Sequence, residues 1–334
     1  MKQQIQYCTT SDGVRIAYAA TGEGTPVIRT SHWLTHLEHD FTSPVWKHVM
    51  LALARHHRLV RYDPRGEGLS QRECADVGFD AWMKDLEAVV EATNFPRFAL
   101  FGCSQGAATA IAYAVKHPDR VSHLILYGGF ARGHLKRAGA PEAAQRGIEL
   151  AKALIREGWG TRHAAHRQWF TSAFLPEGSA DQYRWFNRLQ QVSASPDIAA
   201  RHLEATAALD VSALLEKVRT PTLVLHCRDD GVAPFELGTE LAASIPGARL
   251  VPLAGENHLF LADSAAHRDF VHAVYDFLGD PEPPSHLPGT RSFWERIDHR
   301  IRTAEQYWLI KAALLIGAVI GLVLSVMQLL QAAG

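Results

Sequence analysis

The stretch that most constrains this chain is Gly102-Cys103-Ser104-Gln105-Gly106. Before it stands an apolar run, Phe98-Ala99-Leu100-Phe101, that reads as a buried strand. After it, Ala107-Ala108-Thr109-Ala110-Ile111-Ala112-Tyr113 reads as a helix. Passing from strand to helix in so few residues demands a sharp turn. Such a turn leaves no room for side chains two residues either side of the serine, which accounts for glycine at 102 and 106. It lifts the Ser104 hydroxyl to the top of the sheet and points the start of the next helix at it. That helix terminus, with the Gln105 backbone N–H, favours negative charge developing beside the serine.

The flanking sequence alternates strand and helix. Ile5–Thr9 and Val14–Ala20 flank the turn signal Ser11-Asp12-Gly13, Pro26–Thr30 reads as a strand, and Pro44–His57 has helical apolar spacing. Arg58–Tyr62 is a strand, Phe79–Thr93 a helix with Trp82, Leu86, Val89 and Val90 on one face, and Val121–Tyr127 another strand. This is the pattern of a mostly parallel sheet covered on both faces, an α/β fold. From Gly133 to Leu215 the chain is helical, rich in Ala, Arg and aromatics, and offers no strand. The alternation then resumes with Thr222–His226, Phe235–Ile245, Arg249–Leu253 and Ala265–Leu278. The expected organisation is therefore a core in two parts, residues 1–132 and 216–279, with a helical cap at 133–215. A linker and juxtamembrane helix at 280–311 and a spanning helix at 312–330 complete it.

A serine hydroxyl is a weak nucleophile; it needs a base, and the base needs an orienting group. On a strand–turn–helix of this kind the chain order is serine, acid, histidine. The acid belongs on the loop after the first strand past the insertion, Cys227-Arg228-Asp229-Asp230-Gly231-Val232-Ala233-Pro234, where two carboxylates compete. The base belongs after the last strand, in Leu253-Ala254-Gly255-Glu256-Asn257-His258-Leu259-Phe260. Among 18 histidines it is position that singles out His258. A second donor to the developing oxyanion is expected from the loop Ser31–Asp40, after the third strand. The histidines of that loop do not have the spacing of a helix-borne zinc pair, so no metal and no cofactor is expected.

These runs resemble the α/β-hydrolase superfamily over roughly Tyr7 to Gly279. The nearer likeness is to bacterial hydrolase domains often fused to adenylate/guanylate cyclase or LuxR-type modules. It rests on Ser31–Asp40, Ser43-Pro44-Val45-Trp46, Arg61–Ser70, Gly102–Gly106, His117-Pro118-Asp119-Arg120-Val121 and Tyr127-Gly128-Gly129. The resemblance implies Ser104 as nucleophile and His258 as base. It selects Asp230 over Asp229 as the acid, because the superfamily's acid stands four residues before the proline of this loop, here Pro234. The usual His-Gly of the oxyanion loop is Ser31-His32 here, and the aligned donor is the Trp33 backbone N–H, beside that of Gln105. Asp63–Ser70 resembles the structural turn after the fourth strand. Serine rather than aspartate at 104 argues against dehalogenase and epoxide hydrolase chemistry. The implied activity is a serine hydrolase acting on ester, thioester, lactone or amide carbonyls. The alternatives are a ligand-sensing protein on the same fold with little turnover, and a cofactor-free haloperoxidase-like perhydrolase. The aromatics Trp159, Trp169, Phe170, Phe174, Trp185 and Phe186 of the insertion point to an apolar, lipid-like or aromatic small-molecule substrate.

A net charge of −1 gives no argument for a nucleic-acid partner. Cys8, Cys74, Cys103 and Cys227 have no C-x-x-C spacing and read as buried free thiols of a reducing compartment. Ala312–Leu330 runs for about twenty residues without a charge and is apolar all round, long enough to cross a bilayer. Arg291, Arg296, Arg300, Arg302 and Lys311 precede it and no charged side chain follows, so the hydrolase part is expected in the cytoplasm. Ala313, Gly317, Gly321 and Ser325 share one helix face, which favours pairing of two copies through the tail.

Overall fold

The computed structural model describes residues 2–137, 139, 141–159 and 164–283. The remainder of the linker, the juxtamembrane helix and the spanning helix expected at 312–330 lie outside the described residues. Among the described residues no helix is long and apolar enough to cross a membrane.

The strands are β1 (Gln4–Thr9), β2 (Arg15–Thr21), β3 (Thr25–Arg29), β4 (His57–Tyr62), β5 (Phe98–Cys103), β6 (Val121–Tyr127), β7 (Thr222–Cys227) and β8 (Arg249–Leu253). They form one sheet in the order β1-β2-β4-β3-β5-β6-β7-β8. β1 pairs antiparallel with β2, and β2 with β4. Every later pairing is parallel, with Ile28 opposite Leu100, Leu100 opposite Leu124, and Val224 opposite Leu250. β5 is buried along its whole length. Its side chains alternate between faces. Phe98 and Leu100 join one apolar cluster and Ala99, Phe101 and Cys103 the other.

The helices that cover the sheet are α1 (Leu37–Phe41), α2 (Lys47–Leu53), α3 (Phe79–Thr93), α4 (Gly106–Lys116), then α5 (Pro141–Gly158), α6 (Ala164–Phe174), α7 (Ala180–Ser193), α8 (Pro196–Ala208), and finally α9 (Phe235–Ser244) and α10 (Ala265–Leu278). α3, α4 and α9 pack on one face through Trp82, Leu86, Ile111 and Leu241. α2 and α10 pack on the other through Val49, Leu53, Phe270 and Val274. α5 to α8 lie in the chain between β6 and β7, and their apolar residues Ile155, Trp159, Phe170 and Phe186 continue that second cluster.

Two local expectations change. The helix expected over Pro44–His57 is confined to Lys47–Leu53. Ser43 Oγ accepts from the N–H groups of Val45 and Trp46, both at 2.9 Å, and so occupies the chain before it with a side-chain turn. At its far end His57 belongs to β4, opposite Thr25. The loop after β3 holds the short helix α1, whose N-cap His36 accepts from the His39 N–H at 3.4 Å.

The turn after β4 is tied down by a buried cation. The Arg65 guanidinium donates to Asp85 Oδ1 at 2.8 Å and to both oxygens of Asp12, at 2.9 and 3.0 Å. Asp85 Oδ2 also accepts the Arg65 backbone N–H at 3.0 Å. The β1–β2 turn, the β4–α3 connection and α3 are thereby joined at one residue. Arg65 and Asp85 are both buried. Breaking a buried pair leaves an uncompensated charge, so Asp85→Ala is expected to destabilise the fold by about 3 kcal/mol. A lowered urea midpoint measures this; an unchanged midpoint would show that Asp12 alone satisfies the guanidinium.

Candidate active site

Ser104 stands between the last residue of β5 and the first of α4 with φ +53°, a left-handed conformation uncommon outside glycine. Two backbone hydrogen bonds hold it there, Ser104 N–H to the Tyr127 carbonyl and Ala107 N–H to the Ser104 carbonyl, both at 3.0 Å. The two flanking glycines have separate reasons. A Cβ at Gly102 would lie 2.7 Å from Ala107 Cα, inside the backbone of α4. A Cβ at Gly106 would lie 2.4 Å from the Ser31 carbonyl oxygen. The second glycine thus lets the loop after β3 approach Ser104, and Thr30 Oγ1 seals the contact by donating to the Gly106 carbonyl at 2.8 Å.

The structure brings Ser104, His258 and Asp230 into one hydrogen-bonded row. His258 Nε2 lies 3.0 Å from Ser104 Oγ, and His258 Nδ1 lies 2.7 Å from Asp230 Oδ2. Both His258 and Asp230 are buried. The other Asp230 oxygen accepts the N–H groups of Val232 and Ala233, each at 2.9 Å, which leaves Oδ2 for the imidazole. Burial lifts the Asp230 carboxyl, but the neighbouring His258 and these N–H donors outweigh it and hold it below its ordinary value. An ionised Asp230 accepts a hydrogen bond from Nδ1–H and so leaves the bare Nε2 facing the serine hydroxyl. Asp229 is exposed, and its backbone N–H goes to the Gly255 carbonyl at 3.3 Å.

Gln105 begins α4 and is buried beside the serine. Trp33 lies on the facing loop, whose conformation depends on two buried side chains, His32 and Glu67; sequence reasoning assigned no such role to Glu67. His32 is buried, with Nε2 at 3.0 Å from the Arg29 guanidinium and Nδ1 at 2.9 Å from the Trp33 carbonyl oxygen. A guanidinium only donates, so Nε2 accepts and Nδ1–H donates to Trp33. Burial and Arg29 push the His32 imidazole well below its ordinary value, so it is neutral in this arrangement. Glu67, fully buried, accepts the N–H groups of Leu34 at 3.3 Å and Thr35 at 2.8 Å. Leu34 itself has φ +65°, and the Glu67 carboxyl holds that strained residue in place. Glu67 belongs to the Asp63–Ser70 turn, as does Asp63, whose Oδ2 accepts the N–H groups of Leu37 and Leu69. An acidic residue between two glycines carries no pattern that would announce such a role.

Ser104, Gln105 and His258 open into a cavity of about 390 Å³. Trp33, Leu34, Phe130 and Leu259 line it from the core, and Ile148, Trp169, Phe170, Phe174, Phe186 and Leu203 from the insertion. Among the described residues the lining contains histidines but no Asp, Glu, Lys or Arg. Two aromatics of the insertion do not line the cavity: Trp159 stacks on Trp33 with its Nε1 donating to the Ala194 carbonyl, and Trp185 stacks on His39 and donates to its carbonyl.

The family model for the alpha/beta hydrolase fold matches residues 37–265. The chain belongs to the α/β-hydrolase family. It is 30% identical over 259 residues to the AB hydrolase superfamily protein YisY of Bacillus subtilis, covering 75% of this chain and 91% of that protein. It is 29% identical over 255 residues to the 2-hydroxy-6-oxo-2,4-heptadienoate hydrolase of Pseudomonas putida, covering 70% and 82%. The solved esterase EaEST of Exiguobacterium antarcticum superposes with a TM-score of 0.72 at 21% identity, over 83% of this chain and all of that one. With α/β-hydrolase membership and hydrolase relatives, the protein is a hydrolase enzyme.

The buried carboxyl of Glu67 gives this α/β hydrolase a pH dependence. Burial pushes it up, from an ordinary 4.5 to about 8, against the pull of the Thr35 and Leu34 N–H groups. A folded value above the unfolded one means that the stability from its protonated form is complete below about pH 4.5 and is lost as pH rises through about 8. Glu67→Gln removes this titration and one of the two acceptors. The variant is expected to be about 1 kcal/mol less stable than the parent in acid, with the gap narrowing toward alkaline pH. Denaturation at about pH 5.5 and 8.5 reads the sign; a gap that widens with pH would reverse it.

Proposed function

We propose that the protein is a serine hydrolase that cleaves an ester-like carbonyl bond of an uncharged, apolar small molecule or lipid, with the insertion at 133–215 acting as a cap. The observation that carries this reading is the Ser104–His258–Asp230 row, opening into an apolar cavity. Ser104 Oγ adds to the carbonyl carbon while His258 Nε2 takes its proton. The carbonyl oxygen becomes an oxyanion held by the Gln105 and Trp33 N–H groups, neither of which is committed to an acceptor among the described residues. Collapse of this adduct breaks the bond to the leaving group, which takes the proton from His258. Water, deprotonated by the same nitrogen, then frees the acyl group from Ser104. Asp230 orients the imidazole and stabilises its charged form.

The lining also bears on substrate charge. The Pseudomonas putida relative is named for a heptadienoate, an anion. No lysine or arginine is among the described residues lining this cavity, and an unpaired carboxylate would be costly there. That favours a neutral ester, thioester, lactone or amide.

Ser104→Ala is expected to abolish labelling by a fluorophosphonate and to lower ester turnover by about four orders of magnitude or more. Asp230→Asn should lose a comparable factor, about 10⁴, because the imidazole is left in the wrong tautomer. Asp229→Asn should stay close to the parent. Labelling that survives in Ser104→Ala would overturn the assignment, and ligand binding without any labelling of the parent would favour a sensing role.

The tail reading is part of the same proposal: a helix over 312–330 anchors the enzyme, keeps the hydrolase domain in the cytoplasm, and pairs two copies through Ala313, Gly317, Gly321 and Ser325. A reporter fused after Gly334 should then face away from the cytoplasm. A cytoplasmic reporter would rule out the spanning topology.

A further inference from the structure

The loop that carries His258 takes two of its backbone hydrogen bonds from the insertion. β8 ends at Leu253, and five residues later the His258 N–H donates to the Phe174 carbonyl, at the end of α6, at 3.0 Å. The Leu259 N–H reaches the same oxygen at 3.4 Å. One residue earlier, Asn257 closes a reciprocal pair with Glu177. The Glu177 N–H donates to Asn257 Oδ1 at 3.1 Å, and Asn257 Nδ2 donates to Glu177 Oε2 at 2.6 Å. Only this orientation of the amide satisfies both contacts, because the N–H needs an acceptor and the carboxylate a donor. Asn257 is buried while Glu177 is exposed.

The same short segment touches the rest of the site. The Phe174 ring meets the His258 ring edge-on, with centroids 5.5 Å apart, and lies 6.0 Å from the Trp33 ring. Phe174 also forms part of the cavity wall. One stretch of the insertion therefore contacts the base through its backbone and its ring, the loop of the expected oxyanion donor, and the space a substrate would fill.

We infer that Phe174–Glu177 is a clip that seats the base, and that Asn257 and Glu177 are positioning residues acting through His258. Whatever enters the cavity displaces or settles the insertion, and the insertion sets where His258 Nε2 stands relative to Ser104. Occupancy of the cavity and seating of the base are linked through these four hydrogen bonds. This inference rests on the serine hydrolase reading for its kinetic consequence, but the clip itself is a structural statement that can be read without turnover.

The test is a polarity swap in the full-length protein. Asn257→Asp replaces the amide donor with a carboxylate facing the Glu177 carboxylate, so the side-chain contact turns repulsive. Adding Glu177→Gln restores a donor at position 177 toward the new acceptor at 257 and returns the pair to its original net charge. Asn257→Asp is expected to lower kcat on a p-nitrophenyl ester by about tenfold or more, with KM little changed, since a misplacement of the base costs chemistry rather than binding. Fluorophosphonate labelling should slow in parallel, and the double variant should recover most of both. Amide hydrogen exchange over residues 174–178 and 256–260 should quicken in the single variant and return in the double. If Asn257→Asp does not fold, Glu177→Ala at its exposed position carries the same test, with an expected loss in kcat of about fivefold. An undiminished kcat, a loss confined to KM, or a double variant as slow as the single would overturn the clip. If the parent neither labels nor turns over, the hydrolase reading falls, and exchange alone decides: unchanged exchange in Asn257→Asp overturns the clip, and quickened exchange that the double variant restores supports it.

Discussion

Ser104 can hold its left-handed backbone only because three pieces of main chain crowd around it. The Tyr127 carbonyl takes its N–H, the Ala107 N–H takes its carbonyl, and the Ser31 carbonyl comes so close to Gly106 that any side chain there would collide. A conformation of this kind costs about 1–3 kcal/mol and persists where the surroundings over-determine it. Here the surroundings are β6, α4 and the loop after β3, all attached to the central strand β5. The geometry of Ser104 is in this sense a property of the middle of the sheet, the part least able to relax.

Around that point the loops are fixed by buried polar groups as well as by the apolar packing of Leu34, Leu37 and Leu259. Glu67 and Asp63 accept backbone N–H groups of the loop after β3, and Arg65 joins Asp85 and Asp12 below them. Loops have no ladder partners, so each buried N–H must find an acceptor elsewhere. A carboxyl group is well suited, since it can take two successive N–H groups, on its two oxygens as Glu67 does with Leu34 and Thr35, or on one as Asp230 does with Val232 and Ala233. The loop carrying His258 is held differently, by a carbonyl and an amide–carboxylate pair reaching in from the insertion.

Much of this was legible in the residues. Phe79–Thr93, Val121–Tyr127, Arg249–Leu253 and Ala265–Leu278 have the bounds read from apolar spacing, because strands buried on both faces and helices with one apolar stripe leave periodic traces. Ser104 is legible from its strand–turn–helix context and His258 from its place after the last strand, while only the family resemblance separates Asp230 from Asp229; the structure places Ser104, His258 and Asp230 in one row. Short irregular pieces were harder. α1 is one turn long and has no period to detect, and a side-chain turn at Ser43 shortens α2. Glu67 and Asn257 leave no trace for another reason: their partners lie 33 and 80 residues away, with nothing in local composition to mark them. The tail at 312–330 is legible as an apolar run and lies outside the described residues.

The strand order has one more consequence. The loops that carry Trp33, Ser104, Asp230 and His258 leave the C-terminal ends of the parallel strands β3, β5, β7 and β8, and the insertion leaves from β6, between the strand before Ser104 and the strand before Asp230. Lengthening, shortening or replacing the helices between Tyr127 and Thr222 would leave the pairing of β6 with β5 and β7 unchanged, since those ladders are set by Leu100 with Leu124 and Leu126 with Val224. The part of the cavity wall that the insertion supplies and the row of Ser104, His258 and Asp230 are therefore encoded in separate stretches of chain. Descent can exchange one while retaining the other, provided the incoming helices bring their own acceptor for the His258 N–H.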